Sequence, residues 1–237
     1  MTQFFQYQLR TTDVCGARAF YTAVLGSGDA KIIQLHEHAI ARGARPHWLG
    51  YLGVDDVDSA VAAIVARGAT QLGAKWETPE GLEAAVIRDL GGAVVALAKP
   101  ERAQNPASEG ASTSAIDVQW RLLHTADVER AKANYGELFG WAFNPPLDLE
   151  SLGVFHEFAW KPGGPLAGAM SDISQRRGVH PHWLFHFNVP ALEPALDALR
   201  AGGGLVVARV VVPNGGPVAI CDDPQGAAFA LGEARSH

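Results

Sequence analysis

Apolar residues along this chain alternate between two periods. Residues 4–9 are β-prone, and after Thr12-Asp13, a plain N-cap signal, residues 17–25 carry apolar side chains at helical spacing until Gly26 stops them. The same order returns over 118–123 and then 127–139. A second helix is predicted over 57–67, opened by Asp55-Asp56, with Val57, Val61, Ile64 and Val65 on one face and Gly68 as its stop. Its counterpart is 192–201, followed by Gly202-Gly203. Strands are predicted at 51–54, 84–87 and 93–98, and again at 185–189, 206–212, 219–221 and 227–231, with turn chemistry in Asp223-Pro224-Gln225-Gly226. A strand, a helix and then several strands, run twice in each half, predict an α+β protein with antiparallel pairing after each helix.

The two halves also share words. Pro46-His47-Trp48-Leu49 returns as Pro181-His182-Trp183-Leu184, the segment from Ala19-Phe20-Tyr21 to Gly26 is answered by Ala133-Asn134-Tyr135 to Gly140, and Asp89-Leu90-Gly91-Gly92-Ala93 by Asp223-Pro224-Gln225-Gly226-Ala227. Such a repeat predicts two related domains, 1–99 and 115–234, joined by a linker over 100–114 that is rich in small and polar residues. The helix motif is offset by about 114 residues but the tryptophan motif by about 135. The first copy therefore lacks about 21 residues between Gly26 and Pro46, enough for a hairpin, and its first module is trimmed.

Composition narrows the function. The chain of 237 residues is 48% hydrophobic and 19% charged, an ordinary globular profile. Its net charge of -6 opposes nucleic-acid binding, and no apolar run approaches the roughly 20 residues that span a bilayer. Cys15 and Cys221 are far apart with no paired spacing, so a disulfide scaffold is not expected and a reducing, cytoplasmic setting is.

Phe20-Tyr21 through Leu25-Gly26, Asn134-Tyr135 through Trp141, Val54-Asp55-Asp56-Val57-Asp58 and Asp223-Pro224-Gln225-Gly226 together resemble the vicinal oxygen chelate superfamily of glyoxalases, bleomycin-resistance proteins and extradiol dioxygenases. The resemblance implies tandem βαβββ modules, paired into two glyoxalase-like domains whose curved mixed sheets enclose a small-molecule site. It also implies a divalent metal held by His, Gln or Glu on the first strands of modules and by Glu on a last strand.

Counting from the motifs puts Gln6 and Trp120 at the first-strand ligand positions, Leu49 and Leu184 at those after the tryptophans, and Ala96 and Ala230 at the last-strand positions. Only Gln6 carries a group that can ligate, since indole is a donor only and Leu and Ala offer nothing. No metal site and no cofactor are expected, with a divalent metal the disfavoured alternative. His36-Glu37-His38 is the tempting substitute, two imidazoles on one face of an edge hairpin; the plainer reading is a solvent-facing edge. His156, His180, His182 and His186 form a looser cluster, of which His186 is expected to face the cavity as a hydrogen-bonding or acid-base group. His47 and His182 read as structural, Trp48, Trp183 and Trp160 as packing, and Asp55-Asp56 and Asp127 as helix caps.

The expectation is therefore a small apolar or aromatic ligand bound without metal in the complete second copy, with Trp120, His186, Leu184, Ala230 and Gln6 the candidate ligand-binding residues. Two alternatives stand beside it: a metal-dependent glyoxalase-like lyase or dioxygenase, and a structural or interaction protein whose cavities are filled. Neither nucleic acid nor membrane is an expected partner, and homo-oligomers stay open.

Overall fold

A computed structural model describes residues 2–100, 116–173, 178–212 and 216–233. Apart from Pro100, the predicted linker and the residue after it lie outside the described residues. The first half contains β1 (Phe4–Thr11), α1 (Val14–Leu25), β2 (Lys31–Gln34), α2 (Glu37–Ala41), β3 (His47–Gly53), α3 (Val57–Val65), β4 (Thr70–Gln71), β5 (Trp76–Glu77), β6 (Glu83–Arg88) and β7 (Val94–Ala98), and its strands form a seven-stranded sheet. The second half contains β8 (Val118–Thr125), α4 (Val128–Phe139), β9 (Ala142–Phe143), β10 (Leu147–Asp148), a 3-10 turn (Glu150–Leu152), β11 (Val154–Ala159), β12 (Leu166–Asp172), β13 (His182–Val189), α5 (Leu192–Ala201), β14 (Leu205–Val212), β15 (Gly216–Asp222) and β16 (Ala228–Glu233), and its strands form a nine-stranded sheet. The fold is α+β with mixed sheets, as the pattern predicts.

The trimming of the first module is visible in the element order. After α1 only β2 and the short α2 precede β3, whereas β9, β10, β11 and β12 lie between α4 and β13. β2 runs parallel to β1, as β12 does to β8, so the crossover strand is kept and the antiparallel hairpin is what the first copy has lost. One expectation fails here. His36 and His38 are not alternate residues of a hairpin strand: His36 caps the one-turn α2, its Nδ1 accepting from the His38 N–H at 3.2 Å.

The helices start and stop where their caps dictate. Asp13, Asp56 and Asp127 each accept a backbone N–H three residues on, at 2.9, 2.7 and 3.0 Å, and Gly26 and Gly140 end α1 and α4 in the left-handed conformation. α5 begins at Ala191, which has no capping side chain, and Glu233 at the end of β16 accepts from the Leu192 N–H at 2.9 Å instead.

By proximity the described residues form two compact units. One combines those of Met1–Gln6, Gly50–Thr113 and Arg121–Trp183; the other those of Tyr7–Leu49, Ser114–Trp120 and Leu184–His237. Each unit thus draws modules from both halves of the sequence. In the first unit α3 packs on α4, and Phe4, Trp141, Phe158 and Trp183 form an aromatic core in which Trp141 and Phe158 stack at 4.6 Å. In the second, α1 packs on α5, and Tyr7–Phe185, Trp48–Phe187 and Tyr21–Phe229 contacts at 4.9, 4.7 and 5.3 Å fill the space beneath. Edge-on and offset ring pairs of this kind add to the area they bury.

Candidate functional site

The three repeated motifs meet in space and form one device, used once in each unit. In the second unit the Trp48 indole donates to the Tyr21 hydroxyl at 2.9 Å, and that hydroxyl donates to Asp223 Oδ2 at 3.2 Å. Asp223 Oδ1 accepts the N–H groups of Gln225 and Ala227 at 2.8 and 2.9 Å, holding the turn closed. In the first unit Tyr135 donates to Asp89 Oδ2 at 3.0 Å and Asp89 Oδ1 accepts from Ala93 at 2.8 Å. Trp183 Nε1 approaches the Tyr135 hydroxyl without the geometry of a hydrogen bond. Burial pushes both tyrosines well above their ordinary range, with the adjacent carboxylate adding to it, and burial raises Asp89 and Asp223 against the N–H groups that favour their charge. Buried and closed to solvent, these chains tie helix to turn, and in the second unit the strand as well, and leave nothing to attack a substrate.

The copies differ where Phe20 in the second unit is Asn134 in the first. Phe20 fills its corner so tightly that a Cβ at Gly202 or Gly204 would stand 2.7 or 2.9 Å from its ring. With Asn134 there instead, a crevice of about 10 Å³ opens beside Asp89 and Gly91, space for one water at most.

The expected ligand site divides as follows. His186 on β13 stands directly opposite Ala230 on β16, and Ala230 opposite Ile220 on β15, so the three share one sheet face with Ala208 of β14 beyond them. Leu184 lies on that face by strand alternation. The neighbouring row is Asn188, Gly232, Val218 and Val210. The floor is thus small and apolar: Leu184 is 1% exposed and Ala230 0%, while His186 at 6% brings an imidazole onto it. Trp120, half-buried on β8, belongs to the same unit, but its strand neighbour Gln119 is the residue turned toward this face, so Trp120 points to the other side of β8. Gln6 is 1% exposed and lies in the other unit, so the structure brings neither it nor Trp120 onto the face of the other three.

Sequence reasoning missed Gln119. Its amide lies where a Cβ on Gly232 would be, 2.4 Å away, so a polar group covers this row only because β16 carries glycine there. Asn188 donates to Asp117 Oδ2 beside it. Gly232 was the available signal, a glycine inside a strand pattern being a mark of close approach.

The equivalent of His186 in the first copy is Tyr51, opposite Ala96 and in turn Val86. Tyr51 is fully buried, Phe5 packs edge-on against it at 6.5 Å, and Pro100 lies over Gly53. That face is covered by the chain's own side chains.

The remaining candidates find structural employment. His47 and His182 bond through Nδ1 to the Arg45 and His180 carbonyls at 2.7 and 2.8 Å, and burial lowers both below the usual imidazole range. His124 and His180 lie 5.0 and 5.1 Å from His182, ring to ring, yet among the described residues no three His, Cys, Asp or Glu side chains are placed to hold a metal ion. His156 is buried against Glu129 and Lys132, and burial lowers it as well. The Cys221 thiol is pushed up to about 12 by burial, which removes it as a nucleophile. Arg121 lies over the Trp160 ring at 5.6 Å. Among the described residues no helix is long and apolar enough to cross a membrane.

Comparison with known proteins agrees with this architecture. The family described as bleomycin resistance protein-like N-terminal matches residues 118–155. CFP32 of Mycobacterium bovis and of Mycobacterium tuberculosis, whose name places it among the glyoxylases, is 26% identical over 94% of this chain and 91% of its own length. The 2,3-dioxygenase LapB from Pseudomonas sp. KL28 shares the fold with a TM-score of 0.61 at 16% identity, over 99% of this chain and 93% of that one. The Mn(II)-bound glyoxalase from Novosphingobium aromaticivorans does so with a TM-score of 0.59 at 12% identity, over 98% and 83%. With its repeated modules and mixed sheets, the chain has the fold of these glyoxalases and dioxygenases and resembles the vicinal oxygen chelate superfamily.

Proposed function

We propose that this protein binds a small apolar or aromatic organic molecule on the His186–Ala230 face of the second copy, without the metal used by chelating members of the fold. The observation that carries this reading is the chemistry of the six ligand positions. Trp120, Leu184 and Ala230 in the second copy, and Leu49 and Ala96 in the first, offer no lone pair to a cation, and Gln6 alone makes no site. The residues do not fit the family's metal. The carboxylate that β16 itself carries, Glu233, is already engaged in capping α5.

What the face does offer is an apolar floor with a few polar groups, the composition of small-molecule sites. Leu184, Ala230 and Ile220 supply the floor, and His186, Asn188 and Gln119 the groups that orient a ligand, while Trp120, next to Gln119 along β8, lies on the other side of that strand. Binding and sequestration follow from this without any bond being broken.

A second reading is a metal-dependent lyase or dioxygenase, the activities named for the structural neighbours. It would have to recruit ligands outside the family's positions, and the His124–His182 pair, 5.0 Å apart, is the nearest source. Metal analysis of the purified protein separates the two. The proposal expects no stoichiometric cation; one retained through gel filtration and lost in His182→Ala would overturn it.

A further inference from the structure

We propose, resting on the reading that the His186–Ala230 face holds the ligand, that this ligand is an uncharged aromatic carboxamide or lactam, its N–H donating to Asn188 and its carbonyl accepting from Gln119. Asn188 shares the His186 face, two residues further along β13, and stands directly opposite Gly232 of β16. Its Nδ2 donates to Asp117 Oδ2, and its backbone N–H donates to the Asp117 carbonyl at 3.0 Å. A carboxylate only accepts, so the Asn188 amide meets Asp117 one way round and turns Oδ1 away from it. Among the described residues that Oδ1 is buried and receives no hydrogen bond. A buried acceptor without a donor is costly, and a ligand N–H placed there removes the cost. The Gln119 amide lies beside it, over Gly232, with N–H groups to offer. One oriented acceptor and one donor thus flank Gly232, and a carboxamide presents the complementary pair in a single uncharged plane. The Asp117 carboxylate behind Asn188 disfavours an aryl carboxylate at the same end.

The first copy shows the same positions where the face is closed. By the two repeat offsets Gly53 corresponds to Asn188, Gln3 to Asp117 and Phe5 to Gln119. The backbone bond is kept, the Gly53 N–H donating to the Gln3 carbonyl at 2.9 Å. Both amides over the face are gone. A Cβ on Gly53 would stand 3.3 Å from Pro100 and 3.4 Å from Phe5, and the Phe5 ring packs on Tyr51. Where the chain's own side chains cover the face, these positions are apolar or bare. Where the floor is alanine and isoleucine, they carry an amide donor and an oriented amide acceptor, which is the arrangement that selects a polar group on a ligand.

Saturation-transfer NMR titration of the full chain with naphthamide, naphthyl methyl ketone and naphthoate tests this. The three share one aromatic body, and only the amide carries the N–H. The expected result is an amide bound about tenfold or more tighter than the ketone, with the carboxylate weakest. In Asn188→Leu the amide should fall to the level of the ketone, whose own affinity stays within about twofold. Asp117→Ala, at an exposed position, releases the Asn188 amide, so the amide ligand should lose part of its advantage and the carboxylate should gain. Amide and ketone binding alike to the natural protein, or an amide advantage that survives Asn188→Leu, would overturn the carboxamide assignment; if His186→Ala still weakens both ligands, the binding face itself stands. If none of the three binds, or none is weakened by His186→Ala, the face and the assignment fall together.

Discussion

At the scale of single residues, the hydroxyls of Tyr21 and Tyr135 explain why so many words recur in the sequence. Each joins a helix to a buried carboxylate, and in the second unit to an indole as well. Tyr21→Phe leaves the Trp48 N–H and an Asp223 oxygen without that partner in a dry interior, which costs roughly 1–3 kcal/mol. Urea unfolding should show the loss as a lower midpoint at unchanged slope. The acids have a pH signature of their own. Burial raises Asp89 and Asp223 in the fold, so the folded state prefers their protonated forms. Their contribution is fully present below the unfolded-chain value of about 3.9 and is lost as pH rises through the folded values. In the double variant Asp89→Asn with Asp223→Asn that loss is absent. Its stability relative to the natural protein should therefore grow from the acid side toward neutrality, and a relative stability that shrinks over the same range would contradict the burial argument.

Elements show how far a pattern reaches. The periodic helices and their aspartate caps were legible because helix spacing and capping are local, and α5 was legible to the residue. The two-residue strands β4, β5, β9 and β10 were not, being too short to carry a period. α2 was read as strand because His36 and His38 fit strand alternation as well as they fit the first turn of a helix. The small corner between α1 and α5 gives an element-level prediction. Gly204→Ala puts a Cβ 2.9 Å from both Leu199 and Phe20 and should cost about 1–3 kcal/mol as overpacking. In a Phe20→Leu background the same change should cost less, because the crowded ring is gone. A double-mutant cycle by thermal or urea unfolding reads the coupling.

For the whole molecule, the sequence disclosed two copies but not which parts of them pack together. Tyr21 and Tyr135 sit in matching contexts, as do Asp89 and Asp223, and nothing local distinguishes the pairing Tyr21–Asp223 from Tyr21–Asp89. The fold takes the former, so each compact unit is assembled from both halves of the chain. Of the expected site residues, Leu184, His186 and Ala230 share one sheet face, an arrangement that strand alternation and pairing dictate. Gln6 lies in the other unit, since counting residues gives a position along a strand and not the unit that strand's end joins.

The central claim is that this face has kept the fold's binding role and dropped its metal. Titration of an aromatic ligand library by calorimetry, on protein before and after exhaustive chelation, tests it most directly. The account predicts a ligand whose affinity is the same in both preparations and falls at least tenfold, or about 1.4 kcal/mol, in His186→Ala. Binding that disappears on chelation and returns with Mn(II) or Fe(II) would contradict it.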